Sequence, residues 1–332
     1  MRVLITGVTG FAGSHLAELA LAEGAEVHGT VLPGSPPAAD LAPLLARTRL
    51  HPCDLTEPGA AARVLGEVRP ERVFHLAGLS VVGSSWANRA EVLRVNLEAT
   101  FHLLEALREL PAPCLLVSSA EVYGVVDEAS QPIPETAPLR PVSPYALSKA
   151  CQELYAAYYA LAERLPLITV RAFNHIGPRQ GPGFVCADIA RQVAAVEAGQ
   201  VPRVLAVGDV SARRDFTDVR DMVRAYWLAL EKGLPGEVYN AASGTAVAIR
   251  EVVETFLSLA RVPIEVREDP ARLRPVDLPL LLGDAGKLRA ATGWAPAIPL
   301  LTSLADTLAD WRRRVWQLGG GRSPPPSIIG RS

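Results

Sequence analysis

The chain has 332 residues, 49% of them apolar, and a formal net charge of −2, with a pI near 6.3 and a mean hydropathy of +0.19. That length exceeds the usual size of a single core, so one large domain plus a smaller one is expected, and the apolar fraction excludes disordered and fibrous classes. The near-neutral balance leaves no general basic field, which argues against nucleic acid as the main partner.

The sequence opens directly on a strand at 2–6, leaving no room for a cleavable leader, and no apolar run approaches the roughly 20 residues of a membrane helix. Strand-like runs follow at 25–31, 48–51, 72–77, 113–118 and 166–171, with helical stretches at 13–23, 58–68, 91–109 and 145–164 between most of them. That alternation predicts an α/β, Rossmann-type doubly wound parallel sheet. Past residue 172 the pattern changes to Gly/Pro-rich loops, short strands near 203–207, 237–240 and 263–267, and helices at 184–198, 219–232, 248–260 and 302–316. The expected division is a dinucleotide-binding part at 1–172 with a returning segment at 215–245, a smaller α/β substrate part at 173–214 and 246–316, and a flexible tail at 317–332. Cys53, Cys114, Cys151 and Cys186 are scattered without metal or redox spacing, so reduced thiols, no metal and a cytoplasmic setting are expected.

Two patterns carry chemistry. Thr6-Gly7-Val8-Thr9-Gly10-Phe11-Ala12-Gly13 follows the run Val3-Leu4-Ile5, and glycines between a buried strand and a helix let backbone approach a pyrophosphate at the helix N-terminus. Tyr145-Ala146-Leu147-Ser148-Lys149 sets a phenol and an ammonium one helical turn apart. A lysine so close is expected to lower the Tyr145 pKa, letting the phenol exchange a proton with a carbonyl or hydroxyl. Either pattern alone has an ordinary reading, as a tight turn or a surface helix. In this order within one α/β chain they suggest a nicotinamide-dependent sugar enzyme.

With Asp54-Leu55, His75-Leu76-Ala77-Gly78, Asn96, the 118–124 segment Ser-Ser-Ala-Glu-Val-Tyr-Gly and Ser143-Pro144 added, residues 2 to about 316 resemble an extended short-chain dehydrogenase/reductase of the epimerase/dehydratase family acting on nucleotide sugars. The resemblance implies a cofactor held by Gly7, Thr9, Gly10, Phe11, Gly13, Asp54, Leu55, Ala77, Gly78, Asn96, Ser118, Tyr145 and Lys149. It implies catalysis by Ser119, Tyr145 and Lys149, with Glu121 where 4,6-dehydratases carry the base that removes the C5 proton; Glu121 alone does not decide the reaction. Substrate contacts are implied at Ser80, Glu121, Asn174, Val185, Arg214 and Arg274, the two arginines on the diphosphate, where a guanidinium forks onto phosphate oxygens. Surface ion pairs with Asp215 and Asp277 are the plain alternative for those arginines. His175 reads as a positioning residue rather than a catalytic one.

The stretches 170–180 and 212–221 are similar to GDP-4-dehydro-6-deoxy-D-mannose reductases: Ile176-Gly177-Pro178 stands where GDP-mannose 4,6-dehydratases typically continue with Glu-Ser-Pro. The implied activity is NADPH-dependent reduction of the 4-keto group of GDP-4-dehydro-6-deoxy-D-mannose to GDP-6-deoxy-D-mannose (GDP-D-rhamnose). A GDP-mannose 4,6-dehydratase, a nucleotide-sugar 4-epimerase and a silent nucleotide-binding member are the alternatives. The second strand ends Gly29-Thr30-Val31-Leu32-Pro33 without a carboxylate to exclude a 2′-phosphate, which favours NADP(H), with NAD(H) as second cofactor; Arg47 and Arg49 are the nearest basic candidates to bind that phosphate. The resemblance also implies a homodimer through a four-helix bundle built from 91–109 and 145–164.

Overall fold

The computed structural model describes residues 1–273 and 278–318. Arg274 therefore lies outside the described residues. So does the tail expected at 317–332, apart from residues 317 and 318, which end a helix.

In chain order the strands are β1 (Arg2–Thr6), β2 (Glu26–Val31), β3 (Arg49–Pro52), β4 (Arg72–His75), β5 (Cys114–Ser119), β6 (Leu167–Ala172), β7 (Asn174–Ile176), β8 (Val204–Val207), β9 (Arg213–Asp218), β10 (Val238–Ala241), β11 (Ala246–Ala248), β12 (Glu265–Glu268) and β13 (Leu280–Leu281). The helices are α1 (Phe11–Ala22), α2 (Ala42–Leu45), α3 (Ala60–Val68), α4 (Val82–Ser85), α5 (Arg89–Glu109), α6 (Pro144–Leu161), α7 (Val185–Glu197), α8 (Val219–Lys232), α9 (Ile249–Leu259), α10 (Gly286–Thr292) and α11 (Leu300–Leu318).

The main sheet runs β10-β6-β5-β4-β1-β2-β3, every neighbouring pair parallel. Its inner strands β1, β5 and β6 are largely apolar because both faces are covered, whereas the edge strand β3 is mostly exposed. One buried cluster packs Val3, Ile5, Leu16, Phe74, Val170 and Tyr226 together, and another packs Leu4, Leu65, Val73, Leu103, Leu116 and Leu167. Successive β-strand residues point to opposite faces, so Leu4 falls in a different cluster from Val3 and Ile5. Strand order reverses between β1 and β4, which opens a crevice at their carboxyl ends, the usual ligand position in such sheets.

A third cluster, including Ile189, Val193, Leu205, Phe216, Val252, Phe256 and Leu308, belongs to the second part. There β9 pairs with β7, β11 and β13, while β8 pairs with β12. The segment 215–245 divides: Asp215 to Asp218 pair within the small sheet, and β10 joins the edge of the main sheet beside β6. The four strands of the small sheet were not expected. β7, β11 and β13 are two or three residues long, and β9 reads as a charged loop although five of its six residues are buried. Its Asp215 is satisfied internally, accepting from the Ser243 amide at 2.8 Å and hydroxyl at 2.6 Å and from the Gly244 amide at 2.9 Å.

Candidate active site

The turn after β1 is closed by two glycines that nothing larger can replace. Gly7 sits at φ +69°, and a Cβ on Gly13 would come within 2.2 Å of the Gly7 carbonyl oxygen. The Gly10 amide donates to that same oxygen at 2.9 Å, so α1 starts pressed against the turn with its first amides facing the crevice. Such a backbone cradle fits a dinucleotide pyrophosphate. The ends of β1 and β4 are fastened by Thr6, whose hydroxyl oxygen accepts from the Leu76 and Ala77 amides at 3.1 and 3.0 Å.

Thr6 also meets His75 Nδ1 at 2.8 Å, and His75 Nε2 meets Thr100 at 3.0 Å. The Thr100 hydroxyl donates to the Asn96 carbonyl, so Nε2 carries the imidazole proton and Nδ1 accepts from Thr6. Burial, then the nearby Lys149 charge, lower the His75 pKa to about 3. Asn96 is wholly buried in this network: its Oδ1 accepts from the Leu79 amide at 2.8 Å and its Nδ2 donates to the Leu79 carbonyl and to Ser148. It staples the 78–79 loop to α6.

Ser143 caps α6, accepting from the Ala146 amide at 3.1 Å, and Pro144 fills the first turn. That fixes Tyr145 and Lys149 over the end of β5. Tyr145 hydrogen-bonds Ser119, yet burial dominates and pushes its pKa up to about 12, with the Glu121 charge adding to the rise. The expected lowering by Lys149 does not occur. The Lys149 ammonium turns instead to the Val117 carbonyl, 2.8 Å away, and stands 6.0 Å from the centre of the Tyr145 ring. Burial lowers the Lys149 pKa to about 8 against the pull of Glu153. At neutral pH the site thus presents a protonated phenol, a suitable proton donor.

Glu153, a further turn along α6, is buried and ion-paired with Arg171 on β6 at 2.7 Å. It also accepts from the Ser118 hydroxyl. Arg171 donates to Tyr123 at 2.8 Å, and Tyr123 donates to Asn240 at 2.7 Å. This chain locks α6 to β5, β6 and β10. The Ser118 hydroxyl is thereby engaged inside the protein, although the residue borders the crevice.

The crevice holds a cavity of about 850 Å³. It brings together Gly7, Thr9, Gly10, Phe11, Gly13, Asp54, Leu55, Ala77, Gly78, Ser80, Ser118, Ser119, Tyr145, Lys149, Asn174, Val185 and Arg214. Asn96 and Glu121 are not among its lining residues. Asp54 is braced by the Thr56 amide and hydroxyl at 2.9 and 2.8 Å, and Phe11 stacks on His175 with centroids 5.6 Å apart. Arg214 is buried and donates to the carbonyls of Arg213 and Leu278 rather than pairing with Asp215 as a surface ion pair would. Neither Arg47 nor Arg49 reaches the cavity; Arg49 lies at the far end of β3 and pairs with Glu26 at 2.8 Å. Among the described residues no cluster of three or more His, Cys, Asp or Glu could hold a metal ion.

The family described as GDP-mannose 4,6 dehydratase matches residues 4–307. The chain belongs to this family. A GDP-6-deoxy-D-mannose reductase of Pseudomonas aeruginosa is 37% identical over 95% of this chain and 98% of its own. A Vibrio cholerae GDP-mannose 4,6-dehydratase is 30% identical over 93% of each. Among solved structures, RMD from Pseudomonas aeruginosa complexed with NADPH superposes with a TM-score of 0.81 at 35% identity, covering 94% of this chain and 99% of that one. The Thermus thermophilus UDP-glucose 4-epimerase complex with NAD gives 0.82 at 32%, over 94% and 99%.

Within this dehydratase-family site, sequence spacing did not reveal the Glu153–Arg171 pair or the internal role of His75. Glu153 follows Tyr145 and Lys149 at four-residue steps, and that stripe was the available signal. Tyr226 was also missed: it borders the cavity from α8, and among the described residues its buried hydroxyl has no hydrogen-bond partner.

Proposed function

We propose that this chain reduces the 4-keto group of GDP-4-dehydro-6-deoxy-D-mannose with NADPH, giving GDP-6-deoxy-D-mannose. The observation that carries the reading is the full-length 37% identity to a GDP-6-deoxy-D-mannose reductase, exceeding the 30% to a dehydratase. One feature of the site supports it: Tyr145 is protonated at neutral pH, as an acid for carbonyl reduction must be.

The turn at Gly7, Gly10 and Gly13 would hold the pyrophosphate, with Asp54 and Leu55 toward the adenine and Lys149 at the nicotinamide ribose. Bound there, the reduced nicotinamide supplies the hydride for C4 of the sugar. Ser119 orients the keto oxygen and Tyr145 gives it a proton, so the carbonyl gains a hydride on carbon and a proton on oxygen. Lys149 stabilises the phenolate left behind until a solvent proton restores it. Arg214, with Arg274, would hold the diphosphate, and Ser80, Asn174 and Val185 would border the sugar. On this reading 1–172 serves the cofactor and 173–214 with 246–316 the nucleotide sugar. NADPH is the assigned donor, NADH the second, since among the described residues no lining arginine or carboxylate near Leu32 decides the 2′ position.

A homodimer through α5 and α6 is supported by the outward-facing Phe101, Leu147, Leu154, Tyr158 and Leu161, the last 82% exposed. Among the described residues no helix is long and apolar enough to cross a membrane, and the four cysteines are free, which supports a cytoplasmic setting. The reading is tested with GDP-mannose in deuterated water. A reductase leaves C5 unlabelled; deuterium at C5 with keto sugar accumulating would make the chain a dehydratase.

A further inference from the structure

Past Arg214 the cavity continues between α7 and the end of β8. Its walls there are apolar: Ile189, Val207, Ala212 and Ile249. Apolar walls of this kind suit a nucleobase, and the polar atoms between them decide which one.

Three side chains bring acceptors or amides into that end. Gln192 is committed to Ala206, donating to its carbonyl at 3.1 Å and accepting from its amide at 3.0 Å. Asp209 is exposed and holds the Ser211 amide and hydroxyl at 2.8 and 2.7 Å. Asp188, on the first turn of α7, retains accepting capacity: one oxygen takes the Gly183 amide at 3.3 Å, and the other stands 3.8 Å from Arg191, beyond hydrogen-bond length. Its side chain is three-quarters covered yet borders the cavity.

We infer that Asp188 reads the base of the nucleotide sugar and selects guanine; this rests on the GDP-sugar reading above. A carboxylate only accepts, so its best partner offers two adjacent donors. Guanine does so with N1–H and the N2 amino group. Adenine sets one amino donor beside an acceptor nitrogen, and uracil or thymine places a single N–H between two carbonyl oxygens, which a carboxylate repels. Selection is then both attraction to guanine and repulsion of uracil and thymine.

The experiment is calorimetric binding of GDP, IDP, UDP and ADP to the full chain with NADP+, in wild type, Asp188→Asn and Asp209→Asn. Wild type binds GDP at least about tenfold more tightly than UDP or ADP, with IDP, which lacks the N2 amino group, between them. Asp188→Asn weakens GDP by about tenfold or more, leaves UDP and NADPH affinities unchanged and so collapses the GDP-to-UDP ratio; Asp209→Asn keeps it. A ratio retained in Asp188→Asn, or collapsed in Asp209→Asn, overturns the assignment while leaving the GDP-sugar reading intact. Equal binding of UDP and GDP by wild type overturns both.

Discussion

The Lys149 ammonium lies 2.8 Å from the Val117 carbonyl oxygen and 6.0 Å from the Tyr145 ring centre. One backbone acceptor on β5 thereby fixes where the ammonium beside the phenol stands. Its burial lowers the pKa to about 8, so the ammonium is lost as pH rises through that value. The activity profile should show an alkaline limb near pH 8, because Tyr145, at about 12, does not titrate there. A limb appearing only above about pH 10, the ordinary lysine range, would contradict the role of the buried ammonium.

Tyr145→Phe removes the proton donor while keeping the ring against its surroundings. The expected loss in kcat is about 100- to 10,000-fold, with NADPH affinity changed by less than about twofold because binding and proton transfer are separate. Retention of full kcat would remove Tyr145 from the mechanism.

His75 makes the fold sensitive to acid. Its folded pKa of about 3 lies below the ordinary 6.5, so between those values the unfolded chain binds more protons than the native one. Its contribution is complete above about pH 6.5 and is lost as pH falls toward 3. The urea midpoint should drop between pH 7 and 5, and less steeply in His75→Gln. Identical slopes in the two proteins would show that His75 does not carry the effect.

Glu153→Gln leaves the buried Arg171 guanidinium without its countercharge. The cost should be about 3–5 kcal/mol, as for other broken buried pairs, read from urea denaturation of the variant. A change below about 1 kcal/mol, typical of exposed pairs, would mean that water or a neighbour replaces the carboxylate.

Much of this arrangement was legible because it is local. The glycines at 7, 10 and 13 and the Tyr145–Lys149 step declare themselves by spacing, and the main-sheet strands by apolar runs such as Leu115-Leu116-Val117. What escaped depends on contacts distant in sequence. The direction of the Lys149 side chain is set by a carbonyl 32 residues away, which is why an expected depression of the Tyr145 pKa gave way to a rise by burial. Asn96 occupied a recognisable position, yet its amide is consumed by Leu79 and Ser148. β9 was not expected because Arg213, Arg214, Asp215 and Asp218 break any apolar run and nothing local shows that Asp215 meets Ser243 and Gly244.

The central claim is net reduction, and cofactor consumption tests it most directly. NADPH absorbance is followed with freshly made GDP-4-dehydro-6-deoxy-D-mannose in one cuvette and GDP-mannose in another. The account predicts NADPH loss equal to the keto sugar consumed in the first and none in the second. No loss in the first, with keto sugar forming from GDP-mannose in the second, would contradict it.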